Sequence, residues 1–103
     1  MAAEDPRPTG QDVFVLRLYV TGTTARSTRA IANLREVCEQ HLPERYDLQV
    51  VDVYQQPELA AREQLVAVPT LIRQLPLPLR RLVGDLSNRQ RVLAGLDLSV
   101  ISS

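Results

Sequence analysis

Residues 13 to 20 read VFVLRLYV, an apolar run rich in β-branched and aromatic side chains and interrupted only by Arg17. The run has no helical stripe and is short, which is the pattern of a strand covered on both faces. Such a strand is central. The rest of the chain must supply neighbouring strands and the helices that lie above and below it. With 103 residues in total, one domain built on one core is expected.

The segments that follow fit this demand. TGTT turns the chain after the strand, and Thr24 or Ser27 can accept a hydrogen bond from the free amides of a following helix. In that helix Ile31, Leu34, Cys38 and Leu42 recur three and four residues apart, while Arg35, Glu36 and Glu39 face outward, and Pro43 ends it. YDLQVVDVY (46 to 54) reads as a second strand, parallel to the first across a right-handed crossover. In QQPELAAREQL, Pro57 suits a first helical position and Glu58 the first turn. VPTLIRQ then gives a third strand, LPLP a stiff connection and LRRLVG a fourth strand, after which Gly84 and Asp85 turn again. Ser87 and Gln90 have capping-box spacing for a last helix that turns Val92, Leu93 and Leu96 inward. The predicted order is βαβαββα.

Pro69 stands where the third strand begins. Proline has no amide to give a sheet ladder, so it belongs at a first strand residue, an edge or a bulge. The element order resembles that of thioredoxin-like folds, which keep a cis-proline just ahead of their third strand, facing the end of the first helix. The resemblance therefore predicts a structural cis peptide at Pro69. Where a thioredoxin carries its CxxC, this chain has TTARS, so dithiol chemistry is not expected. Cys38, the single cysteine, reads as a small core hydrophobe, and no Cys/His cluster suggests a metal or cofactor. His41 serves the carbonyl end of its helix.

Twelve cations balance twelve acids, which gives no overall field to draw the chain to nucleic acid or an anionic membrane. All twelve cations are arginine. Codon bias or a hot habitat would produce this, and so would a need for bidentate contacts with carboxylates. No export signal or spanning apolar run is present, so the expected location is cytoplasmic. Residues 1 to 12, MAAEDPRPTGQD, read as a flexible tail, residues 13 to 98 as the domain, and residues 99 to 103 as a short C-terminal tail.

Taken as strings, LRLYVTGTTARSTRAIANL, VVDVYQQPELA and VAVPTLIRQLPLPLRRLVGDLSNRQRVLAGLDL resemble the KaiB family of the cyanobacterial-type circadian clock. PTL, RRLVGDLSN and LAGLDL carry the likeness together. Membership would imply a non-enzymatic regulator that binds the ring ATPase KaiC, helps sequester KaiA and displaces the kinase SasA. It would also imply a metamorphic chain with two folds: a βαββααβ tetramer at rest and a thioredoxin-like monomer when bound to a partner. Such switching requires the two packings to lie within a few kcal/mol.

The resemblance implies partner-binding roles at Arg29, Gln49, Gln64, Arg73, Arg80 and Arg81. Gln49 and Gln64 stand where the family carries basic residues, and the acidic tail and tyrosine that follow LDL in clock members are replaced by SVISS. A KaiB-like paralogue with a stress or signalling role is therefore a second reading. If Arg80 and Arg81 lie on a strand they point to opposite faces, so at most one shares a surface with Arg73. Gly95 and Asp97 bear on fold switching: the glycine weakens a helix interior and the aspartate places negative charge at its carbonyl end. Pro57, Pro69 and the Ser87 box nevertheless favour the thioredoxin-like monomer. A remote enzymatic reading, a glutathione-binding protein, rests on VPTL and on Asp85 with Ser87 at a helix start.

Overall fold

The computed structural model describes residues 13 to 98, so both expected tails lie outside the described residues. β1 (Phe14–Val20) takes the interior position required of it, and seven elements alternate as the sequence predicts. The others are α1 (Ala25–His41), β2 (Tyr46–Asp52), α2 (Pro57–Glu63), β3 (Thr70–Leu75), β4 (Arg80–Val83) and α3 (Arg89–Gly95). Strand order is β2-β1-β3-β4. β1 runs parallel to β2, while β3 is antiparallel to both β1 and β4. This is the thioredoxin-like arrangement.

The two faces of the sheet are unequally covered. On one face Leu16, Leu18 and Leu71 pack with Leu34, Val37 and Cys38 of α1 and with Val92, Leu93 and Leu96 around α3, all buried. On the other, Tyr19, Val51 and Ile72 form a small cluster under Leu59 of α2, with Val53 and Leu65 beside it. Burial of a full-sized aliphatic side chain contributes about 1.5–3 kcal/mol, so the first face dominates the stability. Double coverage of β1 thus holds only over part of its length: Val15 and Arg17, on the α2 side, are half-buried, and α2 itself buries no residue.

Local signals act as residue chemistry dictates, with one displacement. Thr24 is the N-cap of α1 and its Oγ1 accepts from the Ser27 amide, while Ser27 Oγ accepts from the Thr21 amide and ties the helix start to the end of β1. Pro57 is the first residue of α2. The Val68–Pro69 peptide is cis, and so are Leu75–Pro76 and Leu77–Pro78 in the β3–β4 turn. The expected Ser87 box is not the cap of α3. Asn88 caps it, accepting from the Arg91 amide at 3.1 Å, because the Ser87 amide is already donated to Asp85 Oδ1.

Gly95 also differs from its expected part. A Cβ there would lie 2.4 Å from Leu82 Cδ2 and 2.7 Å from Cδ1, so the missing side chain is what lets the end of α3 close onto β4. Gly95→Ala would gain about 1 kcal/mol of helix propensity and lose about 1–3 kcal/mol to overpacking. The expected outcome is a lower urea midpoint for Gly95→Ala, and a smaller loss when the same change is made in a Leu82→Ala background. If Gly95→Ala alone raises the midpoint, the contact does not constrain the helix.

Candidate interaction surface

At the start of α1, where a dithiol would stand, the chain carries Thr24, Ala25 and Arg26. Cys38 lies three turns further along, fully buried. Burial pushes its thiol up to about 12, with the Glu39 charge adding to the shift, so at neutral pH it is a protonated, enclosed apolar group. Among the described residues no group of three His, Cys, Asp or Glu side chains could hold a metal.

The six positions expected to meet a partner divide between the two sides of the sheet. Parity in β2 puts Gln49 on the α2 side with Val51, and its Oε1 accepts from Arg17 Nε at 3.1 Å. Arg81 pairs with Ile72 across β3–β4 and also points to that side, where Nη2 donates to Glu63 O at 2.7 Å. Gln64 is exposed in the next position, in a left-handed conformation (φ 54°) that ends α2. The exposed apolar residues Tyr54 before α2 and Val66 after it flank this helix, and Val83 shares the parity of Arg81. Half-exposed polar groups beside apolar side chains make this the face best suited to a protein contact.

The remaining three lie on the side covered by α1 and α3. Arg29, on α1, meets Asp85 Oδ2 at 3.3 Å, and Asn33 donates to Asp85 O at 2.9 Å, so α1 clamps the β4–α3 loop. Arg73 does not occupy an exposed position, contrary to the sequence expectation. It is 1% exposed because the β3–β4 turn and the end of α3 close over it. Its Nη1 donates to Leu96 O at 2.7 Å and to Asp97 Oδ2 at 3.1 Å, its Nη2 to Pro78 O at 2.6 Å, and its guanidinium lies 6.0 Å from the Phe14 ring centre. Arg80, the cross-strand partner of Arg73, reaches the same carboxylate at 3.4 Å. As the alternation requires, Arg80 and not Arg81 shares the side of Arg73.

Asp97 therefore does the reverse of what its charge suggests in sequence. Two guanidinium groups meet it, and one of them also satisfies the last turn of α3, so the helix end is neutralised. Sequence reasoning also passed over Arg17 and Glu63, which hold Gln49 and Arg81 in place. The period-two alternation of β1 and β2 would have found the first pair, since Arg17 and Gln49 are register partners.

A four-stranded sheet in this order, a proline-led third strand and no cysteine at the head of the first helix define a thioredoxin-like domain without the dithiol. The KaiB domain model matches residues 17–98, and the chain belongs to the KaiB family. It is 49% identical over 85 residues to the circadian clock protein KaiB3 of Synechocystis, covering 82% of this chain and 83% of that one. It is 47% identical, with the same coverage, to the circadian clock oscillator protein KaiB of Synechococcus elongatus. Among solved structures it is similar to the N-terminal domain of SasA from Synechococcus elongatus, with a TM-score of 0.69, 21% identity and 97% of each chain covered. Mitochondrial thioredoxin 3 of Saccharomyces cerevisiae has a TM-score of 0.68 at 15% identity, covering 84% of this chain and 79% of that one. These two likenesses concern the fold.

Arg73→Ala leaves the Leu96 and Pro78 carbonyls without their donor and is expected to cost about 3 kcal/mol in urea unfolding. Arg80→Ala, which removes a half-exposed pair, should cost less than about 1 kcal/mol. Equal costs would show that Arg73 is not an internal tie. Asp85 is held below its ordinary pKa of 3.8 by the Ser87 hydroxyl and amide, and further by Arg29. A lowered folded-state pKa stabilises the chain above 3.8, and the contribution is lost as pH falls through the lower folded value. Asp85→Asn should therefore be less stable than the parent at pH 7, the difference closing below pH 3.8. A difference that persists unchanged in acid would overturn this assignment.

Proposed function

We propose that this protein is a non-enzymatic clock-type regulator of the cytoplasm that binds a KaiC-like ring ATPase as a thioredoxin-like monomer. On this reading it competes with SasA-type proteins for the ATPase and engages KaiA-type ones. The observation that carries the proposal is family membership over residues 17–98 in a chain whose fold is that of the SasA N-terminal domain. Two proteins that meet one ATPase through one fold need no shared chemistry beyond a shared surface. The surface assigned here is the α2 side, with Gln49, Gln64 and Arg81 at the contact. Arg29 and Arg80 contribute charge from the opposite side, and Arg73 acts by holding α3 in place.

Fold switching is part of the same proposal. Gly95 and Asp97 both lie at the end of α3, where the Leu82 and Arg73 contacts are made, so this end is the natural place for the βαββααβ tetramer to diverge. A second reading, a paralogue serving another ATPase, is favoured by Gln49 and Gln64, since neutral groups replace expected cations on the assigned face.

Affinity for KaiC-like ATPases of the same host, measured by calorimetry in each nucleotide state, tests the proposal. Association is expected, with Gln49→Lys and Gln64→Lys each changing it by about 0.2–1 kcal/mol, less as salt rises. Size-exclusion with light scattering on the same samples should show a monomer. Failure of a correctly folded chain to bind any such ATPase would overturn the primary reading, and binding to a non-clock ATPase alone would select the second.

A further inference from the structure

We propose that a recess under the β4–α3 loop is an oxyanion site, which takes a phosphate or carboxylate group between Arg26 and Arg91. The recess has a volume of about 290 Å³, and Gly84, Asp85, Ser87 and Asn88 line it together with Arg26 from α1 and Arg91 from α3. The lining brings two arginines together with a single acid. Asp85, the acid on the lining, is already engaged by the Ser87 amide and by Arg29. Arg80, Arg81 and Arg89 likewise pair with Asp97, Glu63 and Glu36. Among the described residues Arg26 and Arg91 have no ion-pair partner, as is also true of Arg17, Arg35, Arg45 and Arg62, but of these six only Arg26 and Arg91 border the recess.

Each guanidinium offers a planar fork of donors that matches an oxyanion, and two at one recess can share a single anion. Small-molecule pockets usually begin near 300 Å³, so the occupant is a small anion or the terminal group of a larger molecule. Arg81 and Gln49 lie on the opposite side of the sheet and do not border the recess, which of the α2-side contact residues touches Val83 alone, so the inference does not depend on the ATPase reading.

The test is an amide NMR titration of the full chain with inorganic phosphate and, separately, with succinate, each against sodium chloride at matched ionic strength. Saturable shifts are expected at Arg26 and at residues 84 to 91, beyond those caused by chloride, and the tighter of the two probes identifies the chemistry. Arg26→Ala and Arg91→Ala should each weaken binding about fivefold, and Arg62→Ala, on the far side, should not. Both positions are exposed and helical, where alanine is well tolerated, and an unchanged amide spectrum elsewhere shows that the variants fold. Shifts no larger than those from chloride for both probes, or affinities insensitive to Arg26→Ala and Arg91→Ala, would overturn the proposal.

Discussion

A guanidinium withdrawn from water destabilises a fold unless its donors find acceptors, and the C-terminal half of this domain is organised around meeting that demand for Arg73. Its acceptors come from two segments that sequence sets far apart. Pro78 O belongs to the β3–β4 turn, and Leu96 O with the Asp97 carboxylate belongs to the end of α3. One side chain thereby fixes both the turn and the last helix relative to β3. Its Nε finds no partner, so the cluster retains one unmet donor. Gly95 completes the same junction by letting α3 approach Leu82.

The unequal sheet faces separate stability from recognition. The α1 and α3 side holds the continuous core, and several of its charged residues are tied to one another, as Arg29 is to Asp85 and Arg89 to Glu36. The α2 side keeps a small apolar cluster and leaves polar and apolar groups at the surface. A protein partner can be accommodated there without disturbing the main core, which is why the expected contact residues that fall on this side are the ones assigned to the interface.

The parts of the fold that depend on local chemistry were legible in the sequence. The run through Val20, the α1 stripe, Pro57 at a helix start and Pro69 at a strand start each specify their element through neighbours in the chain, and the strand parity separated Arg80 from Arg81. What escaped depends on contacts between distant segments. Arg73 follows the parity of Leu71, yet a charged residue gives no sign that carbonyls 5 and 23 positions away will enclose it. The cap of α3 moved from Ser87 to Asn88 because Asp85 takes the serine amide, and Gly95 carried no mark of Leu82. Of the candidate site, sequence supplied the residues and the structure divided them between two faces.

α2 is seven residues long and buries none of them. Helices this short are marginal in water, and most helical stability comes from an apolar face packed on a core, which here amounts to Leu59 over the Tyr19, Val51 and Ile72 cluster. Its amides therefore open to solvent exchange through local fraying at far lower free energy than the global unfolding that frees those of α1. The segment flanking the assigned interface is in this way the element whose ordering a partner can most readily add to, so part of any binding free energy is spent on firming a helix that the free chain holds only loosely.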